Sequence, residues 1–180
     1  MTSSAAPRRI TRGDATAVFE AFGNGGRAVL QHSRVAQGAP ADDFGTRGSI
    51  RPFGGSPWDG AAFCADDWHV ILIADFEGGD HSFSHQDAER IMQGLTVSFS
   101  LDGNPLETRR TAIRRFLDPS GFDLDVAYYF QQGRIMAPAD LTVGPHRLEV
   151  DVSDSAGQQD FHDAITFTID ASGTGACTAS

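Results

Sequence analysis

Residues 141–170 read LTVGPHRLEVDVSDSAGQQDFHDAITFTID, and the alternation in this stretch decides the fold class. Leu148, Val150 and Val152 alternate with Arg147, Glu149 and Asp151. Further on, Ile165, Phe167 and Ile169 alternate with Ala164, Thr166 and Thr168. Successive side chains on a strand point to opposite faces, so each run has one apolar and one polar face. Two such strands around a polar, Gly-containing connection predict an antiparallel pair, packed on one side and wet on the other.

The same grammar extends upstream. VAYYFQQGRIM (126–136) is predicted as a strand with Val126, Tyr128 and Phe130 on one face, which puts Tyr128 in the core and Tyr129 outside. LTVSFSL (95–101) followed by DGNP predicts a hairpin with Leu95, Val97, Phe99 and Leu101 inward. Its partner is expected in ETRRTAIRRF (107–116), an edge strand whose charges deter edge-to-edge association. WHVILIADF (68–76) is the most hydrophobic run, and both of its alternating faces are apolar in the middle. It therefore needs cover on both sides. Between these strands, Ser84 and Asp87 form the acidic variant of a capping box. A short helix should follow, with Ala88, Ile91, Met92 and Leu95 on one stripe and Gly94 at its end.

The N-terminal third has weaker periodicity. Residues 1–13 read as a flexible tail. ATAVFEAF (15–22) and RAVLQHSRV (27–35) flank Asn24-Gly25 and predict a hairpin, although the Ala-rich first run also suits a helical turn. Residues 36–62 are rich in Gly, Pro and Asp and read as a long loop. The predicted organisation is a tail (1–13), a hairpin and loop (14–62) packed over the Ile71/Ile73 face, a β-sandwich (63–171) and a C-terminal tail (172–180). The fold class is all-β: an antiparallel two-sheet sandwich with one short helix and an N-terminal extension.

Residues 95–170 resemble bacterial immunoglobulin-like modules of the PKD, cadherin or fibronectin III kind. The residues that carry the resemblance are Leu141, Gly144 and His146 in the approach, LEVDV, Asp154 and Gly157 in the turn, and the closing ITFTI. The resemblance implies an immunoglobulin-like sandwich and a binding role. It brings no catalytic motif, and the first 67 residues have no counterpart in such modules.

Length and charge narrow the function. The 180 residues suit one domain. A formal net charge of −10 repels phosphate backbones, so nucleic acid is not an expected partner. All 14 basic residues are Arg, which points to a GC-rich genome or to adaptation to high salt. No apolar run follows the basic start, and none approaches the ~18 residues of a membrane helix. The expectation is a cytoplasmic protein without a membrane partner. In that compartment Cys64 and Cys177 are expected as free thiols, the alternative being one disulfide.

Three groups of residues could carry chemistry. His69 and Asp75 share a face of the central strand and are acid–base candidates, since imidazole titrates near neutrality. Asp80, His81 and His85 lie in DFEGGDHSFSHQDAE (75–89) and are metal-ligand candidates. Their spacing matches neither an EF-hand nor HExxH, so a solvated turn is favoured and no cofactor is expected. Trp58, Tyr129 and Arg114 are candidates for a ligand pocket that takes an aromatic-stacking or anionic ligand. There is no GxSxG, P-loop or dinucleotide fingerprint. Two function classes stand. One is a non-catalytic binding or assembly module, with a small-molecule or protein ligand or a second copy of itself as partner. The other is a small cofactor-independent isomerase, cyclase or lyase that uses His69 and Asp75.

Overall fold

The computed structural model describes residues 9–21, 49–50, 52, 59–116 and 123–178. The described residues are mostly strand with little helix, arranged among themselves as two sheets and no barrel. In order, the elements are helix α1 (Arg12–Ala21), strands β1 (Ser49–Ile50), β2 (Ala61–Cys64) and β3 (His69–Gly79), and helix α2 (His85–Met92). Strands β4 (Thr96–Leu101), β5 (Asn104–Leu106), β6 (Arg109–Arg110) and β7 (Arg114–Phe116) follow. Strands β8 (Val126–Met136), β9 (Gly144–Ser153) and β10 (Gln159–Asp170) then close the two sheets. The first sheet runs β1-β3-β8-β6, with β7 also on β8, and the second runs β2-β10-β9-β4-β5. Pairings are antiparallel except β1 with β3 and β2 with β10, which are parallel.

The β9–β10 pair follows the alternation. Leu148 sits opposite Ile165, and Leu148, Val150, Ile165, Phe167 and Ile169 are all buried. On the opposite face His162 meets Asp151 at 2.8 Å. The β4–β5 hairpin also forms where DGNP predicts it. Asp102 and Gly103 have φ of 53° and 76°, as a tight two-residue hairpin turn requires at both central positions. The capping box of α2 is present, with Ser84 N donating to Asp87 Oδ2 at 3.0 Å and Asp87 N to Ser84 Oγ at 3.2 Å. Ala88 and Met92 are buried beneath that helix, whereas Ile91 turns outward and is 40% exposed.

Strand β3 pairs with β8 over eleven positions, from His69 with Met136 to Gly79 with Val126. Val70, Ile71, Leu72 and Ile73 are all buried, so both faces are covered as the sequence requires. Helix α1 covers the other side from the one expected, while Ile50 of β1 joins the Ile71/Ile73 cluster. Ile71 and Ile73 pack into the inter-sheet core with Phe130, Leu148, Val150 and Phe167. Val70 and Leu72 pack instead against Val18 and Phe19 of α1. Sheet-on-sheet packing claims the Ile71/Ile73 face because it buries an entire apolar surface there.

Other expectations change with it. ATAVFEAF forms most of α1 rather than a hairpin strand. Thr11 N donates to Asp14 Oδ2 at 2.8 Å and Asp14 N to Thr11 Oγ1 at 3.2 Å, a second capping box that starts the helix. The Asn24-Gly25 turn lies outside the described residues. Residues 9–13 are not a tail, since Ile10 is buried and its backbone is bonded to Asp67 and Trp68. The long loop contains β1 and the start of β2. The 107–116 segment does not pair with β4. It crosses over, and β6 and β7 join β8 in the first sheet. Tyr129, not Tyr128, is the fully buried tyrosine, because the outer face of β8 lies under α1 and not under solvent. The C-terminal stretch carries a 3-10 turn (Gly175–Cys177) rather than a free tail. Cys64 and Cys177 are joined as a disulfide rather than present as free thiols.

Gly133 is required by the β3–β8 pairing. A Cβ placed there would lie 2.0 Å from the Ile71 carbonyl oxygen. Leu72→Ala is expected to cost about 2–5 kcal/mol, because it opens a cavity under α1 in a side chain with no exposed surface. Chemical denaturation of the two proteins checks this, and a loss near zero would reject the two-sided burial.

Candidate functional site

The candidate acid–base residues do not meet. His69 opens β3 and Asp75 lies six residues further on the same face. At the rise of a strand this separates them by roughly 20 Å. His69 is 2% exposed. Its Nε2 lies 2.9 Å from the Cys64 carbonyl, and its ring packs edge-on to Phe63 at 5.6 Å. Its Nδ1 is buried without a hydrogen-bond partner. Burial lowers the His69 pKa, opposed by the Cys64 carbonyl and the Asp67 charge. The neutral ring, donating from Nε2, is therefore the form that fits this environment.

Asp75 sits at the other end of the inter-sheet space, beside Glu77 and Arg110. Burial raises the Glu77 pKa, and the Asp75 charge adds to the effect. Burial lowers the Arg110 pKa, against the pull of Asp75. Arg110 is a structural hub that sequence reading left among solvated charges. It donates to Gln132 Oε1 at 2.9 Å and to the Met92 and Leu95 carbonyls at 3.2 and 3.0 Å. The guanidinium also stacks 4.2 Å over the Phe130 ring. It thus closes the C-terminal end of α2 and ties that end to β8.

The metal candidates are dispersed. Asp80 Oδ1 accepts from the Ser82 backbone at 2.8 Å and from its hydroxyl at 2.5 Å, and these bonds lower its pKa. His81 lies 3.6 Å from Asp125, and His85 lies 3.7 Å from Glu89 and stacks edge-on to Tyr128. Among the described residues, the group with metal-ligand proximity is elsewhere: Cys64, Asp66 and Cys177. There both sulfurs are committed to the disulfide.

Of the pocket candidates, Tyr129 and Arg114 are brought together as a cross-strand pair. They form a support and not an opening. Arg114 Nη1 donates to the Glu20 carbonyl at the end of α1 at 3.0 Å, and Arg109 stacks 4.2 Å over Phe19. Burial raises the Tyr129 pKa, partly offset by Arg114. Trp58 lies outside the described residues.

One polar pair escaped the sequence reading. His146, 6% exposed, stacks on Phe167 at 5.3 Å. Its Nδ1 lies 2.7 Å from Asp102 Oδ2 and its Nε2 lies 2.6 Å from the Thr142 carbonyl. Asp102 also accepts from Arg147 N at 2.8 Å, so the pair pins the β4–β5 turn to β9. The signal was an inward position on an alternating strand occupied by histidine, at the level of a turn aspartate.

No protein-family model matches the chain, and no curated protein matches it. Among solved structures, the solution structure of Amebosin is similar over 71% of this chain and 99% of that one, with 10% identity and a TM-score of 0.30. A likeness at that level carries no argument about function. Among the described residues no helix is long and apolar enough to cross a membrane.

Two measurements follow from this geometry. His69 has a depressed pKa in the folded protein, so the unfolded chain binds more protons below its ordinary value of about 6.5. The His69 contribution to stability is thus full above that value and falls as pH drops below it. His69→Gln is expected to flatten the acid limb of a stability profile between pH 7 and 5, and an unchanged slope would contradict the neutral buried ring. Elemental analysis of protein purified without chelator is expected to find no stoichiometric metal. A metal lost on replacing His81 and His85 together would overturn the solvated-turn reading.

Proposed function

We propose that this chain is a non-catalytic binding or assembly module with an immunoglobulin-like sandwich. The observation that carries the reading is the fate of the candidate chemical groups. His69 is walled into the core, where burial favours its neutral ring, roughly 20 Å from Asp75 along its strand. Arg110, Arg114, Tyr129 and His146 are each engaged in holding elements together. The strand order supports the immunoglobulin-like assignment. One sheet orders its C-terminal hairpin beside β4 and β5, and the other pairs β3 with β8 and the β6–β7 segment. The parallel strand β2 beside the last strand suits the same plan.

The surface that this reading offers to a partner is the outer face of β10, β9 and β4. It carries Ser98, Ser100, Arg147, Glu149, Asp151 and His162, linked by Arg147–Glu149 at 2.7 Å and Ser100–Glu149 at 3.0 Å. The disulfide supports an oxidising compartment in place of the cytoplasm expected from sequence.

A fragment and peptide library read by backbone amide shifts tests the proposal. Under the module reading, saturable shifts gather on residues 96–100, 147–151 and 162–168. A saturable cluster around His69, Ile73 and Asp75 would sink it and favour the small-enzyme alternative.

A further inference from the structure

Both ends of the described chain converge on one corner of the fold, beside the Cys64–Cys177 bond. Cys64 ends β2, and the turn that follows hangs from it. Asp67 N donates to the Cys64 carbonyl at 3.1 Å, and His69 Nε2 reaches the same oxygen. Ala65 N donates to the Asp170 carbonyl at 3.0 Å. Residues 9 and 10 are tied to this turn. Ile10 N donates to Asp67 Oδ1 at 2.9 Å, Trp68 N donates to the Ile10 carbonyl at 3.0 Å, and Arg9 pairs with Asp66 at 3.1 Å. Ser172 bonds the same Asp66 from the C-terminal side. Asp170 then holds the 3-10 turn by accepting from Ala176 N at 2.7 Å. The disulfide is thus the covalent member of a set of contacts in which the C-terminal turn, the 65–68 turn and the approach to α1 share partners.

We propose that the Cys64–Cys177 bond is a redox-controlled clasp that sets whether α1 stays seated on β3 and β8. The exposed end is Cys177, since Cys64 is only 8% exposed and Cys177 is partly exposed. A dithiol reductant attacks the Cys177 sulfur. The bond to Cys64 breaks, and the Cys64 thiolate leaves and takes a proton. The second sulfur of the dithiol then closes its own disulfide and releases Cys177 as a thiol. Two electrons pass from the dithiol to the cysteine pair. With the bond open, the 3-10 turn is held by hydrogen bonds alone, and the 65–68 turn loses the covalent brace at Cys64. The Asp67 and Trp68 contacts that fix Ile10 loosen with it. Helix α1 then keeps its packing on Val70 and Leu72 and the Arg114 bond to Glu20 but loses its anchored start, and ten residues fray readily without it.

Hydrogen exchange read by mass spectrometry on the full chain, with and without dithiothreitol, tests the clasp. Reduction is expected to speed exchange in residues 12–21 by about tenfold beyond the acceleration that the loss of global stability brings to β3 and β8. Acceleration confined to residues 171–178 would overturn the coupling. Equal acceleration across α1, β3 and β8 would also overturn it, since the bond would then act only on global stability. Asp67→Ala cuts the link without touching the disulfide. It should release α1 in oxidised protein and remove the redox dependence; a helix as protected as in the parent chain would count against the proposal.

Discussion

The β3–β8 pair has no solvent side, and the rest of the molecule answers that constraint. Eleven residues on each strand are locked in register, and five consecutive β3 side chains, His69 to Ile73, are buried. Each buried aliphatic side chain contributes roughly 1.5–3 kcal/mol only while its cover stays in place. One face is covered by the second sheet and the other by α1. A strand buried on both sides also brings its polar residues inside. Gln132 donates to the Val97 carbonyl at 2.8 Å and to Thr108 at 2.9 Å, and accepts from Arg110. Gln131 and Thr111 exchange two bonds, N–H to hydroxyl and N–H to carbonyl. These demands account for the broken edge on β8, where two short strands flank an irregular stretch at 111–113. That irregular stretch lets Thr111 turn its hydroxyl to the Gln131 backbone while Arg110 reaches α2.

How much of this was legible in sequence depended on the range of the interaction. Period-two alternation recovered β4, β8, β9 and β10, because each has a strong inward set of its own. The Ser84–Asp87 box and the Asp102-Gly103 turn are local chemistry and formed where they read. Helix α1 carried the same kind of signal, Thr11 and Asp14, three residues apart. It was masked by the β-compatible look of Val18 and Phe19 beside Asn24-Gly25. The side of β3 that each cover would take was not legible, since both faces are apolar and only sheet pairing decides between them. The sheet switch after β5 was equally hidden. Arg109, Arg110, Arg114 and Arg115 read as an edge, which is right, but nothing local says which sheet owns the edge. Tyr128 packs against the inter-sheet core as its position reads, but the burial of Tyr129 was hidden for the same reason: alternation separates faces without saying that both are covered.

The candidate site was legible as residue types and not as a constellation. Histidine, tyrosine and arginine at strand positions suggested acid–base or anion chemistry. In three dimensions those groups are consumed by the architecture. His69 and His146 stand at the two ends of an aromatic array that runs through Phe63 and Phe167. Arg110 and Arg114 serve as donors to the carbonyl groups near the ends of α2 and α1, the orphan acceptors of a helix terminus. An all-arginine basic complement suits that work, because a planar fork with five donors can satisfy two or three acceptors at once. Among the described arginines, Arg109, Arg110 and Arg114 are committed in this way.

The disulfide braces a short edge strand. Strand β2 is four residues long, sits at a sheet edge and pairs in parallel with the last strand. Strands this far apart in sequence need the longest closure of any pairing in their sheet, and a few ladder bonds return little against that entropy. A covalent link across 113 residues removes roughly 4–5 kcal/mol of that closure cost from the unfolded side in the chain-entropy account. Local signals could not have placed it, since neither cysteine has a motif spacing. The pairing Asp170 with Cys64 sets the distance, and the tight turn from Asp170 to Cys177 delivers the second sulfur. Covalent closure at this corner therefore depends on the β9–β10 alternation already being right. The strongest local signal in the sequence positions the longest-range bond in the structure.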